Sequence, residues 1–314
     1  MFWKLTFGCL IFLSIFSVSA REKTDREKSG LFGYVKSIRE ETAEILIKNA
    51  KPVEKKRKLN SVETFDVSGK QLTHFLYDSD GKDLISGETF IYDASGRLIE
   101  KEIEHTEFLH LCDKKTYLYN QSGQPVEEQC FIENGKLVGK RLFRYDRNGL
   151  LFEEESISLI EKPIYFNNYL TRRKFDELGR EIEIATLKKV NDEWQPEDFR
   201  MRFYKWIFVY DSRGHISKRI QIKPDETIHS FSASSHDEKG NEIETIYYNT
   251  EGMINDVGRY EYEFDKQGNY VKQIDYEWIN ENGKTLFQPE EITYRKIEYF
   301  SKREIEQFEA QNAK

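Results

Sequence analysis

Apolar and polar residues alternate along most of this chain with a period of two. Gly258-Arg-Tyr-Glu-Tyr-Glu-Phe264 alternates aromatic with charged positions. Ile216, Lys218, Ile220 and Ile222 alternate with Ser217, Arg219 and Gln221. A period of two puts successive side chains on opposite faces of a strand, so these segments read as half-buried β-strands. Tyr270, Ile274, Tyr276 and Trp278 then share one face, with Val271, Gln273, Asp275 and Glu277 on the other.

One turn punctuates the strands. It is an aromatic or His, then Asp or Asn, two free residues, then Gly. The pairs are Asp66 and Gly69, Asp78 and Gly81, Asp93 and Gly96, Asn120 and Gly123, and Asp146 and Gly149. They continue as Asp176 and Gly179, Asp211 and Gly214, Asp237 and Gly240, Asn249 and Gly252, and Asp265 and Gly268. Asp or Asn accepts a backbone hydrogen bond two residues on, and Gly leaves a type I turn through a left-handed conformation. Turns starting at Phe65, Tyr92, Tyr119, Tyr145, Phe175, Tyr210, His236 and Phe264 are spaced by 27, 27, 26, 30, 35, 26 and 28 residues. Minor turns such as Asp78–Gly81, Asn249–Gly252 and Asn280–Gly283 fall between them. The unit is strand, major turn, strand, minor turn, and a fixed period of this size marks a repetitive architecture.

These motifs resemble the YD, or RHS, repeat, whose hallmark is Tyr-Asp-x-x-Gly-Arg followed by Leu or Ile. Gly87 to Leu98, GETFIYDASGRL, carries it, and the resemblance runs from about Ser61 to Gly283. It implies a β-sheet shell or spiral, an exported or surface-associated protein, and a carbohydrate-binding or toxin-casing role. The array is short and no toxin-sized domain follows it, which argues against the casing.

The fold expected is all-β, an antiparallel up-and-down meander of tandem hairpins. Eight repeats of two strands make about sixteen strands. Open twisted sheets rarely exceed about ten without curling or splitting. The alternatives are an open trough, a spiral shell or a wide barrel.

Met1 to Ala20 reads as a secretory signal: Lys4, an apolar run from Leu5, and Val18-Ser19-Ala20 before a cut at Arg21. Arg21 to Gly30 reads as a mobile linker, residues 31–300 as one repeat domain, and Ser301 to Lys314 as a short helix or tail. Ser301 and Glu304 have capping-box spacing. Lys51 to Lys58 reads as a solvated loop, and Ile157–Asn168 and Lys188–Glu197 as longer loops. After signal cleavage no membrane span is expected, and strands such as Arg97–Glu104 are too charged to face lipid.

Charge narrows the partners. A net charge of −8 argues against nucleic acid, which needs a basic footprint. Aromatics at 14% exceed what a disordered chain would carry and suit a sheet with one aromatic-rich face. Trp194, Tyr276 and Trp278 are ligand-face candidates. Cys112 and Cys130 flank the turn at Asn120–Gly123 and are a candidate cross-strand disulfide. Asp78, Asp80 and Asp83 around Gly81 are a weak candidate calcium loop, weighed against a plain turn. A metal site from His105, His110, Cys112 and Cys130 matches no standard zinc spacing. His236 stands in the aromatic slot of a turn, which reads as structural.

No nucleophile elbow, phosphate loop or zinc-protease helix is present, and no cofactor or resident metal is expected. The leading expectation is a non-enzymatic, exported binding module, periplasmic or extracellular, for a glycan or an envelope protein. The alternatives are an interaction scaffold with no small ligand and, third, a glycan-active enzyme. Oligomeric state and ligand identity are left open.

Overall fold

The computed structural model describes residues 23–49, 51–105, 112–160, 168–196, 204–281 and 284–312. The signal segment, His110, and parts of the loops at 157–168 and 188–197 lie outside the described residues. So does part of the minor turn at 280–283.

Every described strand pair is antiparallel, and successive strands pair with each other. The meander closes on itself. Val35–Lys48 pairs with Lys58–Phe65 on one side and with Lys284–Tyr299 on the other, giving a barrel of 18 strands. Of the three sheet shapes open to the sequence, the chain takes the wide barrel. Two further short strands extend hairpins beyond it. Lys51–Glu54 pairs with the end of Val35–Lys48, in place of the expected solvated loop. Glu193–Pro196 pairs with the end of Glu181–Val190.

The ten turns are built alike. In the one after Tyr92, the N–H of Gly96 donates to the carbonyl of Asp93 (2.9 Å), and the N–H of Arg97 donates to Asp93 Oδ1 (2.9 Å). Gly96 has φ +83°, a conformation that a Cβ disfavours. The ladder then slips by one residue, so that Tyr92 pairs with Leu98. This is a glycine bulge, and the same slip follows the turns at Asp66, Asn120, Asp211, Asp237 and Asp265. Each bulge bends its strand and adds right-handed twist. Repeated in register, they coil the sheet until its two ends meet.

Tyrosine hydroxyls tie most repeats to the one before, though not at Phe175 or His236. Tyr92 donates to the carbonyl of Gln71 (2.8 Å), Tyr119 to Leu98 (2.5 Å), Tyr145 to Pro125 (2.8 Å) and Tyr210 to Glu181 (2.6 Å). The acceptor is always the second residue after the preceding turn glycine. At the last major turn Phe264 has no hydroxyl, and Tyr262, two residues earlier, bonds the equivalent carbonyl of Glu242 instead (2.8 Å). A net hydrogen bond contributes about 1 kcal/mol. This one explains why the turn aromatic is so often Tyr.

The expected mobile linker is docked. Asp25–Lys28 forms α1, with Thr24 and Glu27 closing a capping box. Arg26 is buried; its backbone N–H donates to Gly69 O (3.0 Å) and its guanidinium to Val35 O (3.2 Å). Asp25 Oδ2 accepts from Gln71 N (3.2 Å) and from the Tyr92 hydroxyl (3.1 Å). The charge of this segment is used in specific bonds to the first turns, so it does not loosen the chain. At the other end, Lys302–Asn312 forms α2, with Ser301 and Glu304 bonded as a capping box.

Among the described residues, the buried apolar side chains gather in three small clusters. One holds Leu31, Val35, Ile38 and Phe65, a second Cys112, Cys130 and Val138, and a third Leu170, Ala185, Leu187, Tyr204 and Ile222. Cys112 and Cys130 are joined, with their Cα atoms 5.5 Å apart.

Candidate functional site

The register assigns residues to the two faces of the barrel wall. Glu88, Lys101, Lys115, Glu128, Arg141, Glu154, Arg173, Arg219, Arg295 and Glu40 share one face. They form ion pairs around the wall: Lys101–Glu88 (3.1 Å), Lys115–Glu128 (3.1 Å), Arg141–Glu154 (3.0 Å), Arg219–Glu242 (3.2 Å) and Arg295–Glu40 (3.0 Å). The opposite face carries pairs of its own, Arg144–Glu155 (2.8 Å), Arg172–Glu153 (3.0 Å) and Lys174–Glu183 (2.9 Å). Accessibility tells the faces apart. Lys101, Arg173 and Arg295 are 17%, 20% and 21% exposed, against 44%, 54% and 67% for Arg144, Arg172 and Lys174. Side chains converge on the concave side of a closed wall, so the first face lines the lumen. Charge occupies both faces, whereas a lipid-spanning barrel presents an apolar band outward.

A cleft of about 510 Å³ opens on the lumen face. Its floor is the strand Ile228–His236, which turns Ser230, Ser232 and Ser234 inward. Three small residues in a row leave a depression between bulkier neighbours. Trp206 stands on one side, backed by the nearly parallel ring of Phe208, 6.3 Å away with 6° between planes. Tyr247, a residue 42% exposed, stands on the other. Arg219, Gln221 and Asp256 supply polar groups at the same level. Arg219 is held by Ser234 Oγ and Glu242 Oε2, both at 3.2 Å. Burial pushes the Tyr247 hydroxyl above the ordinary tyrosine range.

Further round the lumen, Asp275 and Glu291 are directly opposite each other on neighbouring strands. Burial raises both carboxyls above their usual values, and for Glu291 the charge of Asp275 adds to the effect. Burial likewise pushes Tyr260 and Tyr270 beside them up to about 12. The sign for stability follows from the raised values. Between the ordinary carboxyl range and the raised folded one, the folded protein binds more protons than the unfolded chain, so this pair's contribution falls as pH rises through that window. Asp275→Asn is therefore expected to raise the unfolding midpoint at pH 7 more than at pH 4, checked by thermal melts at both. An equal shift at the two pH values would remove the pair as the cause.

The sequence candidates fall elsewhere. Trp194 lies on Glu193–Pro196 and packs against the cluster of Leu170 and Leu187. Tyr276 and Trp278 share the outer face, where the Tyr276 hydroxyl donates to Glu261 (2.8 Å). None of the three lines the cleft. Tyr270 does not share their face: the bulge after it shifts the phase, and it packs edge-on against lumenal Tyr262 at 5.5 Å. Trp206 escapes the sequence reading because Lys205-Trp-Ile-Phe-Val-Tyr210 is apolar on both faces, which hides the alternation. The run Ser230-Phe-Ser-Ala-Ser234 was the readable signal, since it places the small residues on one face.

Asp78, Asp80 and Asp83 form a turn and converge on no common point. Asp78 Oδ1 accepts from the N–H groups of Lys82 (2.8 Å) and Asp83 (3.3 Å), and Asp80 faces Lys82 (4.0 Å). With Cys112 and Cys130 bonded to each other, their sulfurs are not available to a metal. Among the described residues, Asp211, His215 and His236 do bring three ligand atoms within 4.8 Å of one another.

No family model matches the chain, and no curated protein matches it. Among solved structures it is similar to a porin-like protein from Bacteroides uniformis, with TM-score 0.43 and 11% identity over 84% of this chain and 98% of that one. It is also similar to TcdB2-TccC3-TEV, with TM-score 0.37 and 14% identity over 82% of this chain and 13% of that one. TcdB2-TccC3 without its hypervariable C-terminal region gives TM-score 0.36 and 15% identity over 75% of this chain and 14% of that one.

Proposed function

We propose that the protein is an exported, non-enzymatic binding barrel whose lumenal cleft takes a carbohydrate. The observation that carries this reading is the pairing of flat aromatic faces with polar groups around a serine floor. Trp206 and Tyr247 offer apolar surface to the C–H face of a sugar ring, while Arg219, Gln221 and Asp256 offer bonds to its hydroxyls. The Cys112–Cys130 bond fits an oxidising compartment, as does a leader at Met1–Ala20. The resemblance to YD repeats points the same way.

The test is a calorimetric screen of the purified protein against polysaccharides and peptidoglycan fragments. Saturable binding is expected, weakened about fivefold by Trp206→Ala, since a stacked ring contributes about 1 kcal/mol. The outward-facing Tyr276→Ala serves as the control and is expected to bind normally. Binding that is indifferent to Trp206 would place the ligand elsewhere.

A second reading has its own support. The lumenal charges satisfy one another around the wall, as they would in a scaffold that holds no small ligand. Capture of one envelope protein together with no glycan binding would favour it. Glycan cleavage that is lost in Asp275→Asn would instead favour the third reading, an enzyme.

A further inference from the structure

We infer that Asp211, His215 and His236 form a divalent transition-metal site that clamps two successive turns together. The first argument is the break in the tyrosine pattern. At His236 the repeat carries imidazole in the slot where Tyr92, Tyr119, Tyr145 and Tyr210 use a hydroxyl to tie down the preceding repeat. The preceding turn places a second imidazole at the facing position. The residue after its glycine, which varies among the turns and is Asn241 and Asn269 in the next two major ones, is His215. The imidazole rings of His215 and His236 lie 5.0 Å apart, at 29°.

The second argument is unused bonding capacity. Asp211 Oδ1 accepts from the N–H groups of Arg213 and His215, both at 2.9 Å, which is the turn's own requirement. Oδ2 faces His215 Nδ1 at 3.4 Å and Arg213 Nε at 3.7 Å, and the histidine nitrogen is buried with no hydrogen-bond partner. A tetrahedral ion with bonds of about 2.0–2.1 Å needs ligand atoms about 3.4 Å apart. Atoms already within 4.8 Å reach that spacing by small side-chain rotations.

Two imidazoles and one carboxylate select a borderline ion of the zinc, cobalt or nickel type over calcium or magnesium, which prefer all-oxygen sites. One or more positions stay open. Arg213 donates to the carbonyls of His236 and Asp237, both at 3.0 Å, and its charge moderates the affinity. The ion would fix the end of the strand that floors the cleft. The site does not depend on what the cleft binds.

The test uses the purified protein, stripped with chelator and free of any His tag. It is titrated with Zn²⁺ by calorimetry and with Co²⁺ by visible absorption. One equivalent is expected to bind, with d–d bands from Co²⁺ and a higher unfolding midpoint with Zn²⁺. His236→Tyr and His215→Asn both install residues that the repeat carries at those places, so both are expected to fold. Each is expected to weaken binding by more than about tenfold, the least that loss of even a supporting group costs. Saturable binding that persists in both variants would overturn the proposal. So would the absence of one-equivalent binding in the parent protein.

Discussion

Thr42→Pro is expected to open the barrel. Thr42 sits at the centre of the closing strand and pairs with Lys58 on one side and Thr293 on the other. Proline has no N–H to give to the ladder, and its ring is tolerated only at sheet edges. Losing one bond and stranding its carbonyl costs about 2–4 kcal/mol. The larger consequence is topological. Once this strand detaches, Lys58–Phe65 and Lys284–Tyr299 become free edges, and free edges pair with other chains. The expected result is a lower unfolding midpoint together with higher-order species on a sizing column. Thr42→Val keeps the backbone donor and is expected to behave as the parent does. A Thr42→Pro protein that melts and elutes normally would mean that the closing strand adds no stability.

Removing the disulfide is expected to have a comparable effect by a different route. Cys112 and Cys130 are 18 residues apart in sequence, and a loop of about this size stabilises by roughly 3 kcal/mol through the unfolded chain. Both cysteines are almost fully buried, beside Val138 and with Ile103, Ile132 and Ile160 packed around them. A paired Cys112→Ala and Cys130→Ala variant keeps that cluster apolar and isolates the cross-link. Its urea midpoint is expected to fall by an amount equivalent to about 2–4 kcal/mol, with near-native far-ultraviolet dichroism. A loss below about 0.5 kcal/mol would show that the hairpin about Asn120–Gly123 needs no covalent tie.

The local grammar of this fold was legible in the sequence because it is local. Period-two alternation depends on neighbours in the chain, and so does a turn such as Tyr92-Asp-Ala-Ser-Gly96. Both could be read directly, as could their order as an antiparallel meander. Two errors came from non-local effects. Arg21–Gly30 is charged and read as mobile, yet Asp25 and Arg26 are held by Gln71, Tyr92, Gly69 and Val35. Tyr270 was grouped with Tyr276 and Trp278, but one bulge changed its face.

Closure and the lumen were decided by tertiary structure. Twist accumulates over the whole array, so whether the ends meet depends on the sum of all the bulges and on no single one. The last pairing joins Val35 to Tyr299, residues that share no local pattern. Which face becomes concave follows only after closure, and with it which aromatics can meet a ligand. Trp206 and Tyr247 converge there, while Trp194, Tyr276 and Trp278 do not. Alternation divides a strand's residues into two sets, and the curvature of the closed sheet determines which of them faces the lumen.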